Sequence, residues 1–423
     1  MKYRVQNVGK IENADISIDG ITVLTGPNDT GKSTIGKILY TVFSSMYHSD
    51  SQVQRAKRSS IRRNVSEFVR ESMDLAPVQR QAVVELTTAN LISLFQGNAE
   101  SAEKVQAVFA QNASVDDLLI SQDTFEDSLQ ALLVKCRKSW DVPDAEVRQS
   151  LFNSTFAGEF GAKSVLPQNG KENSEVSIEI RGDNISLKRG NGDFLHIEQE
   201  INLIESISYI DDPFIVDQLD FGNSIHVSDL DHRQDLKRKL TRRASEDFSV
   251  DELLAEEKLK VVMDRFNQIC GGDLIQAEGR YFQYQSPDLS KPIPVKDMST
   301  GMKSFLILKE LLLNGQLEEN GIVVLDEPEV HLHPAWQIAF ARIIVELQKA
   351  FHLNFLITTH SVEFLTAIEH FSQNSGMEKI CHYYYLDTNP ESGMSVSVET
   401  SDSLDVIYRN LSTPYLELVD EEE

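Results

Sequence analysis

Cysteine is scarce: the 423 residues hold three, Cys136, Cys270 and Cys381, too scattered to form a disulfide framework. That usage fits a reducing cytoplasm in which all three are buried small hydrophobes. Long apolar runs are missing as well. None approaches the roughly 18 residues of a membrane span, and Met1-Lys2-Tyr3-Arg4 leads into no signal-peptide core. The expectation is a cytoplasmic protein with no membrane partner. Basic charge is in deficit, 40 Lys and Arg against 66 Asp and Glu, a formal net charge of −26. This excludes broad, unspecific affinity for DNA or RNA, so any nucleic-acid contact must come from a local basic patch. Internal repeats and low-complexity blocks are absent.

What remains is ordinary for a soluble chain, 41% hydrophobic and 25% charged, and long enough for one large or two intimate domains. One stretch organises it: Gly26-Pro27-Asn28-Asp29-Thr30-Gly31-Lys32-Ser33-Thr34 fits G-x-x-x-x-G-K-[ST] at every fixed position. Before it, Gly20 to Thr25 reads as a short buried strand. After it, Ile35, Ile38, Leu39 and Val42 recur at i, i+3, i+4, i+7, the inward stripe of a helix starting near Lys32. Glycines let such a loop curl so that its N–H groups and the helix N-terminus face an anion. Lys32 adds a point charge at the β- and γ-phosphates, and the Ser33 hydroxyl can ligate Mg²⁺.

Residues 3–8 and 14–18 predict two short antiparallel strands ahead of the loop. From about 49 to 170 the texture becomes helical, with Leu118, Leu119, Phe125, Leu129 and Leu132 approximating one face. This insertion opens on a basic run, Arg55, Lys57, Arg58, Arg62, Arg63 and Arg70 against Glu67, net +5 over 51–70. A second run, Arg233, Lys237, Arg238, Lys239, Arg242 and Arg243 against Asp235, is net +5 over 232–243. Either is a solvated, salt-bridged helix face or a nucleic-acid patch. Residues 175–199 read as a three-strand meander turning at Gly182-Asp183-Asn184 and Asn191-Gly192. A helix over about 251–269 ends at Gly271-Gly272, and strand-like pieces follow at 281–284 and 293–295. The division expected is an N-terminal lobe (1–48), a helical insertion (49–170), a meander returning to the head (171–230), a helical arm segment (231–272) and a C-terminal lobe (273–423).

Three further motifs carry chemistry. Gly321 to Asp326-Glu327-Pro328 is an apolar strand ending in two carboxylates: Asp326 is placed for Mg²⁺ beside Ser33, and Glu327, on the other face, to polarise an attacking water. Leu356 to Ser361 is another strand, ending at His360, a residue able to sense a γ-phosphate or hold Glu327 in place. Met298-Ser299-Thr300-Gly301 precedes the helix of Phe305, Leu308 and Leu312, where Ser299 and Gly301 sit at a second anion-facing N-terminus; an ordinary cap reads the same way.

In this order the motifs resemble the ABC ATPases, and Asp326 to Pro334 resembles their OLD-like, RecF- and SMC-related branch. The resemblance covers roughly 1–48 and 292–370. It implies an α/β ABC-type P-loop head, a mixed sheet with flanking helices and an antiparallel β subdomain, split by a helical insertion. It also implies a homodimer of heads, or a higher even oligomer, sandwiching ATP and Mg²⁺. Ser299 and Gly301 of one copy would touch the γ-phosphate held by the other, with Glu329 to Pro334 at the seam. The glutamine that family members place near Mg²⁺ has Gln218 as its candidate, and Thr30 departs from the usual serine or alanine. His331 and His333 lack a third ligand for a metal of their own. Only some sixty residues follow His360, too few for the nuclease domain of many OLD proteins, so an effector is expected on another protein. The expected activity is ATP hydrolysis. The biological readings are a regulator of a separate effector or toxin in bacterial anti-phage defence, a DNA-repair or chromosome-maintenance ATPase engaging DNA through the insertion, or an ATP-dependent scaffold with negligible turnover. The acidic balance favours the first.

Overall fold

The computed structural model describes residues 1–98, 101–112, 117–161, 173–189, 195–219, 231–241, 250–276 and 282–420. The described strands are β1 (Lys2–Val8), β2 (Ile11–Ser17), β3 (Ile21–Thr25), β4 (Glu175–Ile180), β5 (Asp183–Arg189), β6 (Leu195–Gln199), β7 (Ile207–Ile210), β8 (Asp273–Gln276), β9 (Phe282–Gln285), β10 (Ile293–Pro294), β11 (Ile322–Asp326), β12 (Asn354–Thr358), β13 (Cys381–Thr388) and β14 (Ser395–Glu399). The helices are α1 (Lys32–Met46), α2 (Ser49–Ser72), α3 (Pro77–Phe95), α4 (Ser101–Asn112), α5 (Gln122–Trp140), α6 (Asp144–Phe160), α7 (His232–Thr241), α8 (Val250–Ile269), α9 (Thr300–Leu313), α10 (Pro334–Phe351), α11 (Val362–Asn374) and α12 (Asp405–Asp420).

Eleven of these strands form one mixed sheet in the order β6-β5-β4-β1-β2-β14-β13-β3-β12-β11-β7. Its half from β13 to β7 is parallel, and the half carrying β1, β2 and the meander β4-β5-β6 is antiparallel. The class is α/β, the mixed-sheet P-loop head with flanking helices expected from the motifs.

Parallel strands covered on both faces read as continuous apolar runs, which is why Ile322–Leu325 and Phe355–Ile357 lack alternation. Their side chains still alternate in space. Val323, Leu325, Phe355 and Ile357 enter one core cluster with α9, α10 and α11, while Ile322, Val324 and Leu356 enter a second with Ile35, Ile38 and Leu39 of α1. Asp326 lies two residues beyond Val324 and so belongs to the α1 side of the sheet.

Two compact units divide the chain: residues 1–47 with 151–423, and residues 48–150. The second is helical, with its own core of Ile61, Val65, Val83, Leu91, Leu132 and Cys136. The sequence drew the end of the insertion at 170. In the structure Phe152 and Phe156 of α6 already pack with the sheet residues of the first unit.

Two local expectations shift. The meander turn lies at Arg181-Gly182, with φ of 52° and 93°, and Asp183 is already paired with Ile180. Asn191-Gly192 lies outside the described residues. Leu118 and Leu119 precede α5, which starts from the Ser121 cap, and Leu119 faces solvent. The helical period holds only from Phe125 onward. All three cysteines are free and buried, and no described helix is long and apolar enough to cross a membrane.

Candidate functional site

The carboxyl ends of β3, β12 and β11 gather the predicted residues at one edge of the sheet, where ligands of parallel α/β sheets bind. The register Leu24↔Thr358 and Thr358↔Asp326 brings the three strand ends level.

Two glycines let the loop between β3 and α1 turn. Gly26 has φ 137°, and a Cβ on it would lie 2.5 Å from the Leu386 carbonyl oxygen; Gly31, with φ 91°, caps α1 in the left-handed region. Asn28 and Asp29 are exposed, Asp29 with φ 63° and ion-paired to Lys10. Thr30 is buried, its hydroxyl donating to the Pro27 carbonyl at 2.9 Å; Thr34 lies in the first turn of α1. The hydroxyl at position 30 therefore stitches the loop.

Lys32 is 5% exposed, and its ammonium donates to the carbonyls of Gly26 (3.0 Å) and Pro27 (2.8 Å). Burial pulls its pKa down, opposed by the charges of Glu327, Asp326 and Glu329. A buried lysine at the head of the glycine loop suits a phosphate.

Ser33 Oγ donates to Asp326 Oδ1 at 3.1 Å; the Thr358 hydroxyl donates to the same oxygen, and Tyr209 donates to Oδ2 at 2.8 Å. Among the described residues no cluster of three or more His, Cys, Asp or Glu could hold a metal. A cation here would draw on one carboxylate and one hydroxyl, with phosphate oxygens and water completing the set. That oxygen-only arrangement fits Mg²⁺.

Glu327 leaves the strand at φ 51°, its N–H donating to the carbonyl and the hydroxyl of Thr358. His360 Nε2 lies 3.4 Å from Glu327 Oε1, an ion-pair distance without an aligned hydrogen bond. Burial, then the charge of Lys32, lowers the His360 pKa against the pull of Glu327 and Asp326, so the imidazole is neutral near pH 7.

Glu329, which the resemblance places at a seam between copies, is bonded within its own chain. It is buried and accepts from Thr359 Oγ1 (2.7 Å) and His360 N (2.8 Å), leaving Oε2 buried without a partner. Burial pushes its carboxyl up in pKa. It fixes the turn that presents His360, while Val330, His331, His333 and Pro334 are the exposed members of that stretch.

Ser299 caps α9 through its backbone and is exposed. Gly301 is buried where a Cβ would lie 2.7 Å from the Trp336 ring, so close packing against α10 by itself explains glycine there. Among the described residues no hydrogen bond or ion pair joins Ser299 or Gly301 to the Lys32 loop of the same chain. Gln218 is exposed and accepts from Lys237 at 2.7 Å rather than facing Ser33 or Asp326.

Sequence reasoning missed Tyr209 and Lys303. The Lys303 ammonium, on the inner side of α9, pairs with Asp217 at 2.7 Å and lies 5.1 Å from the Phe214 ring centroid. The basic runs lie mostly at the surface: Arg55, Arg58, Arg62, Arg63, Arg70, Arg233 and Arg238 are exposed, and Lys57 is buried. Lys57 pairs with Asp144, and Arg58 and Arg62 with Glu85; Arg233 pairs with Asp211, and Arg238 and Lys239 with Asp235. Arg242 and Arg243 lie outside the described residues.

Comparison with known proteins agrees with this geometry. Residues 1–365 match the model of the AAA ATPase domain. A segment of 93 residues is 38% identical to the Retron Ec83 probable ATPase of Escherichia coli, covering 19% of this chain and 16% of that protein, so the match spans about a sixth of the relative's length. Among solved structures, the SMC head domain from Thermotoga maritima is similar at TM-score 0.39 and 12% identity, over 94% of this chain and 97% of that one. The SmcHead bound to the C-winged helix domain of ScpA is similar at TM-score 0.42 and 12% identity, over 96% and 98%. With its match running through the glycine loop, the acidic strand end and His360, the chain belongs to the AAA ATPase domain family.

Proposed function

We propose that the protein is a Mg²⁺-dependent, ABC-type ATPase of the OLD-like, SMC-related kind, in which ATP draws two copies together and hydrolysis releases them. The observation that carries this is the meeting of Lys32, Ser33, Asp326, Glu327 and His360 at one sheet edge, from segments almost 300 residues apart. Lys32 and the loop N–H groups bind the β- and γ-phosphates. Ser33 and Asp326 hold Mg²⁺, which when bound would offset charge on the phosphate oxygens. Glu327 takes a proton from the attacking water, and neutral His360 positions that carboxylate and reads the γ-phosphate. Ser299 and Gly301, with no partner at the Lys32 loop of their own chain, serve the nucleotide of the second copy. Occupancy thus becomes a change of assembly, a conformational switch.

In the cell the switch regulates a separate effector in bacterial antiviral defence, a reading supported by the retron-associated relative. Repair or maintenance through DNA is the weaker reading, because of the acidic balance of the chain and because ion pairs engage Lys57, Arg58 and Arg62 of the first basic run and Arg233, Arg238 and Lys239 of the second. Steady-state ATPase assays with light scattering test the biochemical claim. Glu327→Gln should accumulate ATP-bound dimers without turnover, and Lys32→Ala should bind no nucleotide. Wild-type turnover by Glu327→Gln would reject the catalytic assignment. Phage-plating assays with the neighbouring genes present and deleted test the defence role; unchanged plaque counts in every combination would reject it.

A further inference from the structure

Tyr209 is 1% exposed in the middle of β7, where any large apolar side chain would fill the space. Its hydroxyl has a specific use. The β7–β11 register places Tyr209 opposite Val324, on the face that Val324 shares with Asp326. From there the phenol reaches along the strand, donates to Asp326 Oδ2 at 2.8 Å and lies 3.5 Å from the Ser33 carbonyl oxygen. It touches both residues assigned to the cation. We propose that Tyr209 is a positioning residue for the metal site: its hydroxyl holds Asp326 Oδ2, so that Oδ1 stays turned to the Ser33 hydroxyl and to the divalent cation the two would share. This rests on the reading of Ser33 and Asp326 as metal ligands.

The surroundings hold the ring in one place. On the α1 side, a Cβ added at Gly36 would lie 3.0 Å from Tyr209 Cε2 and 3.0 Å from Val324 Cγ1, so the helix backbone lies flush against the ring. On another side the His232 imidazole packs at 4.5 Å between centroids, and Tyr40 meets both rings edge-on at 6.2 and 6.1 Å. His232 is itself clamped. Its Nδ1 lies 2.7 Å from Glu159 Oε2, its backbone N–H donates to Glu159 Oε1 at 2.5 Å, and its Nε2 is 3.0 Å from Asp211 Oδ2 but off the line of an aligned hydrogen bond. A ring confined on these sides leaves its hydroxyl little choice of partner. Carboxylates that bind metals are commonly oriented by such outer hydrogen bonds, whose loss typically costs 10–100-fold in metal affinity.

Tyr209→Phe removes one oxygen and keeps the volume. The experiment measures nucleotide affinity in EDTA by fluorescence of a labelled ATP analogue. It then measures Mn²⁺ affinity of the nucleotide-bound protein by electron paramagnetic resonance, with Asp326→Ala as reference. The expected result for Tyr209→Phe is unchanged nucleotide affinity in EDTA with a Mn²⁺ Kd raised about 10- to 100-fold. A residue that only filled space would leave both values unmoved, so a Mn²⁺ Kd within about twofold of wild type, with Asp326→Ala strongly impaired, overturns the tyrosine's role alone. Loss of nucleotide affinity in EDTA also overturns it, since the hydroxyl would then support the fold or the loop rather than the cation. If Asp326→Ala leaves Mn²⁺ affinity intact, the ligand assignment beneath the proposal is wrong.

Discussion

The two compact units treat charge in opposite ways. Among the described residues of the helical unit, 48–150, one charged side chain is buried, Lys57, and its partner Asp144 is half exposed. The rest of its core is apolar and aromatic, built on Phe68, Phe109 and Phe125. The sheet unit buries Lys32, His232, Asp235, Lys303, Lys309, Glu310 and Glu329. Taking a charge out of water is costly unless it is paired and hydrogen-bonded. A core that only had to be stable would resemble the helical one. Of these, Lys32 and Glu329 lie at the carboxyl edge of the parallel strands, whereas Lys309 and Glu310 tie α9 to residues 267–274.

Four measurements can break or sharpen the contrast, the largest effect first. Glu327→Gln should lower kcat by about 10²- to 10⁴-fold, the usual contribution of a positioned general base, while nucleotide affinity stays near wild type. A turnover assay beside a binding titration checks the split. Next, Lys303→Ala leaves Asp217 without its cation and should cost about 3 kcal/mol in urea unfolding. Lys57→Ala in the helical unit, whose partner reaches solvent, should cost no more than about 1 kcal/mol. Equal costs would end the comparison.

The third concerns pH. Burial alone would lower the His232 pKa, but the close Asp211 carboxylate, the hydrogen bond to Glu159 and the charge of both outweigh it and raise it to about 9. Burial would raise Asp211, yet His232 and Arg233 hold it at about 2. A raised histidine stabilises fully below its unfolded value, roughly 6.5, and the benefit disappears as pH climbs through 9. A depressed aspartate stabilises above roughly 4 and loses that benefit only as pH falls toward 2. Stability of the sheet unit should therefore fall between pH 6.5 and 9 by on the order of 2 kcal/mol. Chemical unfolding across that range should show the slope in wild type and a flatter one in His232→Gln. Smallest of all, Arg62→Ala, at an exposed pair with Glu85, should change stability by less than about 0.5 kcal/mol.

Much of the nucleotide edge is legible in the residues themselves. The glycine loop, the carboxylate pair ending an apolar strand and the histidine ending the next each carry a local pattern, and parallel pairing brings them level. The missing pieces share a cause. Tyr209 meets Asp326 across 117 positions and Lys303 meets Asp217 across 86; a tyrosine in a strand and a lysine in a helix have no local spacing that names a partner. The inward bonds of Glu329 to Thr359 and His360 follow from the turn beginning at Glu327, with its positive φ, which no local spacing announces. Gly301 fits a phosphate-facing cap equally well until Trp336 is seen against it. Periodicity identifies elements, whereas strand order, which sequence alone leaves open, decides which side chains meet.

That order has a consequence for how the protein is made. The strand preceding the glycine loop, β3 (Ile21–Thr25), is synthesised long before its neighbours β12 and β13, which span residues 354–388. Until those strands are made, both edges of this apolar segment lack their native hydrogen-bond partners, a state that invites pairing with foreign strands. The nascent chain therefore stays exposed to aggregation until its later strands close around an earlier one.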